Sequence, residues 1–166
     1  MPDAAADQVR DDLRHKTSVT MECRRGIVGL SLFSSAILGG IGLYQVGLLK
    51  RLPDPPWPAF NADRINGSED AYSHLKTPDA LLGLASYAVT ACMAAMGKED
   101  RWKTARVIPL AMGAKMSLDT ALAGAMSVQQ WTKFRKLSAW SLLVSAATFV
   151  SFGLAWPEIK RALAGE

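Results

Sequence analysis

Lys115 and Asp119 sit four residues apart inside an otherwise apolar run, 107–128. That spacing puts both side chains on one helix face, where an ammonium and a carboxylate can pair. A lone charge at the centre of a bilayer costs about 2.5–3.5 kcal/mol on insertion scales, and pairing offsets part of it. An ionisable residue at such a depth marks a functional position by default. The plainer alternative is a self-neutralising pair facing the bundle interior or a partner subunit. A proton path would need further carboxylates or histidines in neighbouring runs, and their interiors hold none. The two cysteines, Cys23 and Cys92, form no C-x-x-C, so neither a disulfide framework nor a zinc site follows from them, and no metal is expected. Cys92 falls inside an apolar run, where burial would make its thiol inert.

These residues need helices to position them, and the apolar runs supply candidates. A transmembrane helix takes about 20 mostly apolar residues to cross ~30 Å of hydrocarbon. Four runs qualify: 26–49, 79–97, 107–128 and 137–156, after which Pro157 marks an end. The fold class expected is all-α, a membrane four-helix bundle. The mean hydropathy of +0.09 is ordinary only because charged segments separate the runs. The net charge of +4 does not point to nucleic acid, because the basic residues flank apolar runs and form no single face. Residues 1–22 are polar and lack the apolar stretch of a cleavable signal, so the first run reads as a retained anchor.

Lysine and arginine set the orientation. Arg10, Arg14, Lys16, Arg24, Arg25, Lys98, Arg101, Lys103, Arg106, Lys160 and Arg161 fall on one side; Lys50, Arg51, Arg64, Lys76, Lys133, Arg135 and Lys136 fall on the other. This excess places both termini in the cytoplasm, the expected location being a bacterial inner membrane, and leaves the loop 50–78 outside. Pro53, Pro55, Pro56 and Pro58 exclude a continuous helix in its first half. Its second half, 68–75, reads as a short helix with Ser68 as N-cap, Glu69 and Asp70 in the first turn, and Ala71, Tyr72 and Leu75 facing the membrane. Trp131, Trp140 and Trp156 fall near run ends, as an aromatic belt would place them. Ser31, Ser35 and Gly39, and Gly113, Ser117, Ala121 and Ala125, recur every fourth residue. This spacing suits close helix packing, with homodimerisation as the lesser reading.

Three local patterns in this order carry a resemblance. They are Asn66-Gly67-Ser68 with Ala71-Tyr72, the stretch 77–83 with Tyr87, and the stretch 137–143 containing Ser138, Trp140 and Ser141. Over residues 23–156 the chain resembles the vitamin K epoxide reductase family. The polar segment 1–22 precedes this domain and the tail 157–166 follows it. The resemblance implies a four-helix membrane fold with a C-x-x-C at the outer end of the last span, exchanging electrons with a bound quinone, and a loop cysteine pair that relays them. Here Ser138 and Ser141 stand in the C-x-x-C positions, and Ala62 stands where a loop cysteine is expected. A serine hydroxyl forms neither a disulfide nor a stable anion near neutral pH, so the thiol relay is chemically closed to this chain.

The resemblance also implies a quinone pocket between the outer span ends, formed by Ser68, Asp79, Tyr87, Ser138, Trp140 and Ser141. Tyr87 and Trp140 serve equally as packing aromatics, and Asp79 equally as a helix N-cap. Two functional readings follow. One is a redox-inactive relative that keeps the fold and a quinone or lipid in the old pocket. The other is an accessory subunit of a larger membrane complex, docked through its small-residue faces.

Overall fold

The computed structural model describes residues 4–165. Its helices are α1 (Ala4–His15), α2 (Val19–Gln45), α3 (Ala62–Asn66), α4 (Asp79–Ala95), α5 (Arg101–Thr104), α6 (Val107–Gln129) and α7 (Ala139–Ala164). Two 3₁₀ turns, Glu69–Tyr72 and His74–Lys76, lie between α3 and α4, and a π turn, Gln130–Phe134, ends α6. Helices α2, α4, α6 and α7 form a four-helix bundle, so the fold is all-α. Helix α2 packs along both α4 and α7, whereas α6 leans on α7 and barely touches α4. Glycines allow the close α2–α4 approach: a Cβ at Gly42 would stand 3.0 Å from Leu81, and one at Gly83 would stand 3.1 Å from Leu38.

Two apolar clusters hold the bundle. Ile37, Ile41, Leu52, Ala62, Ala80 and Val144 fill the end beneath the long loop. Ile27, Ala94, Met112, Met116, Ala155 and Ile159 fill the end that carries both termini. On three of the four bundle helices, buried hydroxyls separate the two clusters: Ser31 and Ser34 on α2, Thr90 on α4, Thr148 and Ser151 on α7. Large apolar side chains also point outward, among them Leu32, Phe33, Leu118, Leu122, Phe149 and Val150. Such a surface suits lipid and not water. Helices α2 and α7 are long and apolar enough to cross a membrane, α4 is a shorter apolar helix of 17 residues, and α6 carries Lys115 and Asp119.

Three expectations need correction. Helix α2 starts at Val19, seven residues before the apolar run, because Ser18 caps it by accepting a hydrogen bond from the Met21 N–H. Pro157 does not end the last helix, which continues to Ala164 with Pro157 inside it. The turn after the proline is held by its partners: Glu158 by Arg101, Ile159 against Gly113, and the Ala162 carbonyl by Arg106. Neighbouring groups of this kind make proline tolerable inside membrane helices. The loop helix expected over 68–75 is instead two 3₁₀ turns, because Leu75 and Lys76 both adopt φ of 53°, the left-handed region that ends a helix. Leu75 points away from the protein, Tyr72 donates to the Gln45 carbonyl at 2.9 Å, and a helical turn at 62–66 precedes them.

Buried charge organises the terminal end. Arg101 donates to both carboxylate oxygens of Glu158, at 2.6 and 2.7 Å, and to the Met93 and Met96 carbonyls. Arg24 donates to the carbonyls of Ala94, Met96, Gly97 and Lys98 at 2.8–2.9 Å. The last carbonyls of α4, which no helical N–H can reach, are thus taken up by two guanidinium groups. Outside this core, α1 is clasped to the α4–α5 link. Asp12 accepts from the Glu99 N–H at 3.1 Å, and Lys16 lies 3.2 Å from the Glu99 carboxylate. Hydrogen bonds from Ser18 and then Lys16 hold that carboxyl below the usual carboxylate range.

Glu158→Leu leaves Arg101 buried without its counter-charge, and a broken buried pair costs about 3–5 kcal/mol. Unfolding in mixed detergent micelles should show that loss for the single variant and a smaller one for Arg101→Leu/Glu158→Leu. A double variant as unstable as the single would refute this account.

Candidate functional site

Beneath the loop, polar side chains from α2, α3, α4, α7 and the π turn meet around Asn66, at the end of α3. Its amide nitrogen donates to the Ser138 hydroxyl and to the Ala62 carbonyl, both at 3.0 Å. Its amide oxygen accepts from the Ser141 hydroxyl at 3.3 Å. Ser138 is the N-cap of α7, with its oxygen 3.3 Å from the Ser141 N–H, and its own N–H donates to Gln130 of the π turn at 3.0 Å. The buried amide of Gln45, last residue of α2, donates to Asp79 at 2.6 Å and to the Asn66 carbonyl at 3.1 Å, and accepts from the Ala80 N–H. A continuous chain of hydrogen bonds therefore runs from α4 through α2 and α3 to α7.

The loop is fastened over this chain. The Asp54 carboxylate accepts from the N–H groups of Ala62 and Ala139, so one side chain serves the first residues of α3 and α7. Phe60 and Leu137 form a parallel bridge, with Asn61 donating to the Leu137 carbonyl at 2.9 Å and Leu137 to the Ala59 carbonyl at 2.8 Å. Lys136 donates to the Pro58 carbonyl, and Lys133 pairs with Asp70. Among the described residues, the buried side-chain polar atoms left without a partner are Ser31 Oγ and Ser34 Oγ, which belong to neither the loop nor this chain.

A model of the vitamin K epoxide reductase family matches residues 26–156 of this sequence. The chain belongs to the vitamin K epoxide reductase family. No curated protein and no solved structure matches it. Membership and the apolar helices together make this a membrane protein.

Of the residues that the family resemblance singled out, the structure joins Asp79, Ser138 and Ser141 in one network, through Gln45 and Asn66. Ala62 lies directly beside them, buried one turn before Asn66. Asp79 is the first residue of α4, with Pro78 in the N-cap position, and its carboxylate is bound by Gln45. Ser68 stands apart: it occupies the N-cap position of the first 3₁₀ turn without capping it, and donates instead to the Ile65 carbonyl. Trp140 and Tyr87 pack against the apolar cluster below the loop. The Trp140 indole donates to the Pro53 carbonyl at 2.6 Å, and the Tyr87 hydroxyl shares a hydrogen bond with Thr148 of α7. Cys92 is exposed on the outward face of α4, contrary to the expected burial, and Cys23 is half-buried near the start of α2. Among the described residues no group of His, Cys, Asp and Glu could hold a metal ion.

Sequence reading missed Gln45 and Gln130, and named Asn66 only within the Asn66-Gly67-Ser68 pattern, without a role. Their partners are distant in the chain, the Asn66–Ser138 bond spanning 72 residues. The signal available was local: Gln45 and Gln130 stand near the ends of apolar runs, and Asn66 stands in a pattern that the resemblance had already picked out.

A second polar cluster joins α4 and α6. The Lys115 ammonium donates to Asp119 at 2.5 Å, to Thr90 at 2.7 Å and to Ser86 at 2.9 Å, so the i,i+4 pair forms as the spacing predicts. Its side chains are 20% and 18% exposed, on the bundle's least closely packed contact.

Two outcomes test these clusters. Asn66→Ala strands buried polar groups that cost about 1–3 kcal/mol each. It should lower stability and speed tryptic cleavage at Arg51 and Arg64; an unchanged cleavage rate would show that Asn66 does not fasten the loop. Asp119→Ala should reduce membrane insertion or stability more than Lys115→Leu/Asp119→Leu, since an unpaired charge costs more than none. Equal effects of the two would mean that the charges do not support each other.

Proposed function

We propose that this chain is a redox-inactive member of its family, a pseudoenzyme whose thiol site has become a hydrogen-bonded fastening between the loop and the bundle. One observation carries the reading: Asn66 bonds both hydroxyls that stand in the C-x-x-C positions. Neither hydroxyl can accept or release electrons in a disulfide exchange. The two thiols present cannot replace them, being single and set on other faces of the protein. A quinone carbonyl would need a free donor; the amides of Asn66 and Gln45, the hydroxyls of Ser68, Tyr87 and Ser141 and the Trp140 indole are engaged within the protein, and the Ser138 hydroxyl, which accepts from Asn66 and from the Ser141 N–H, is wholly buried. The donor set therefore does not fit a quinone in this arrangement. The lysine and arginine bias supports an orientation with both termini in the cytoplasm, as for a bacterial inner-membrane protein.

A second reading has its own observation. The Lys115–Asp119 pair is part-exposed at the thin α4–α6 contact, where lipid is a poor neighbour for charge. A partner subunit docked there would cover it, which supports an accessory role in a membrane complex. Fixed-stoichiometry partners that co-purify with the chain and depart on replacement of Lys115 and Asp119 would favour this reading.

Purified protein should neither oxidise dithiols in the presence of a quinone nor reduce vitamin K epoxide, and lipid extracts should contain no stoichiometric quinone. Ser138→Cys/Ser141→Cys should form a disulfide, since the hydroxyl of one residue already lies 3.3 Å from the backbone nitrogen of the other. Quinone-coupled thiol oxidation by the unmodified chain that disappears in Cys23→Ser/Cys92→Ser would overturn the proposal.

A further inference from the structure

The base of α7 carries a feature that the family's chemistry does not use. Two clefts meet there at Pro157 and Arg161. One, of about 20 Å³, lies between α2 and α7 beside Thr20, Cys23 and Leu154. The other, of about 520 Å³, is open to the surroundings and lined by Trp156, Pro157, Lys160, Arg161 and Ala164. The Lys160 ammonium sits 5.6 Å from the centre of the Trp156 ring, and the Arg161 guanidinium 5.2 Å from that of Trp102. Arg161 also donates to Thr20 of α2 at 3.0 Å, which fixes its position.

Among the described residues neither cation has a counter-charge. Glu158, the carboxylate of the same turn, is spent on Arg101. Among the described residues no ion pair includes Lys160 or Arg161. On the membrane side of the two cations the surface is apolar: Trp156 is 45% exposed, and the Phe152 ring packs 6.0 Å from it. The apolar run of α7 ends at Trp156, so the cations stand one turn beyond the hydrocarbon, at headgroup depth. Two free cations above exposed apolar side chains, with aromatic rings at the boundary, complement a molecule that joins an anion to acyl chains.

We propose that this cleft binds an anionic phospholipid, with Lys160 and Arg161 on the phosphate and Trp156 beside the glycerol and the first acyl carbons. A zwitterionic lipid brings its own cation close to these two and is disfavoured. The open cleft receives the headgroup, and the rings of Trp156 and Phe152, 6.0 Å apart, lie on the side of the chains.

The test titrates the full chain in detergent with phosphatidylglycerol or phosphatidylcholine and reads retained lipid by native mass spectrometry. The expected result is one retained phosphatidylglycerol and at least about tenfold weaker retention of phosphatidylcholine. Each surface cation is worth about fivefold in anionic-lipid affinity, so Lys160→Gln should weaken retention by that factor and Lys160→Gln/Arg161→Gln by about 25-fold. Lys50→Gln/Arg51→Gln, at the opposite end, should change nothing. Should the double variant lose its melting transition, Lys160→Gln decides the matter, because no hydrogen bond of the described structure involves the Lys160 side chain. Equal retention of the two lipids, undiminished retention by Lys160→Gln, or displacement by millimolar inorganic phosphate (a free anion in place of a lipid) would overturn the proposal.

Discussion

The last carbonyls of α4 end inside the protein, where neither water nor a further helical turn can meet them. In lipid such groups must be satisfied by the protein itself. Arg24 from α2 and Arg101 from α5 converge on them, and Glu158 from α7 balances the charge that this introduces. The consequences spread outward. Holding Glu158 in place keeps α7 helical beyond Pro157, and that continuation presents Lys160 and Arg161 beside α2. Gathering the starts of α2 and α6 and the ends of α4 and α7 at one point also sets the level at which the lower apolar cluster closes. A methylene-rich core would pack these helices, but it would leave the carbonyls unpaired, each costing several kcal/mol in a medium without water.

The loop end solves the same problem with neutral amides. Gln45, Asn66 and Gln130 sit at the ends of α2, α3 and α6, each bonded to groups that a helix end leaves open. An amide both donates and accepts, so one Asn66 side chain ties α3 to two positions of α7. A disulfide would hold one contact covalently and open on reduction. The amide network holds several contacts at about 1 kcal/mol each and is indifferent to redox potential. The two ends differ in kind: buried charge with a fixed counter-ion at one, and at the other a network centred on amides, with the carboxylates of Asp54 and Asp79 bound at its edges.

Much of this was legible in the sequence. The four bundle helices follow from the apolar runs, three of them starting within two residues of where hydropathy placed them, because a bilayer demands long uninterrupted runs and leaves few alternatives. The Lys115–Asp119 pair followed from helical periodicity alone. Ser138, Ser141 and Asp79 were named through resemblance, and the structure brings them together. The residues that join them were not legible, since the Asn66–Ser138 and Gln45–Asp79 bonds span 72 and 34 residues and leave no periodic trace. Arg24 and Arg101 looked like ordinary flanking charges, because counting cations says nothing about which of them turn inward. Pro157 was read by its local rule, and tertiary partners overrode it. Cys92 was assigned to the interior by its neighbours in sequence, whereas in a membrane an apolar face is as readily turned outward.

A thiol relay through a loop needs motion, since a cysteine that takes electrons from one partner must swing to reach another. The loop here is built against such motion. Asp54 serves the first residues of both α3 and α7, Asp70 is held by Lys133 and Gln129, and Lys136 holds the Pro58 carbonyl. Two more bonds join the backbone around Phe60 to that around Leu137. Opening the loop would break these together and uncover the apolar cluster beneath it. On the proposed redox-inactive reading, the absent cysteines and the fastened loop go together: where no electron has to cross this surface, nothing opposes the bonds that close it, and a cover over the apolar cluster serves the bundle better than a moving arm.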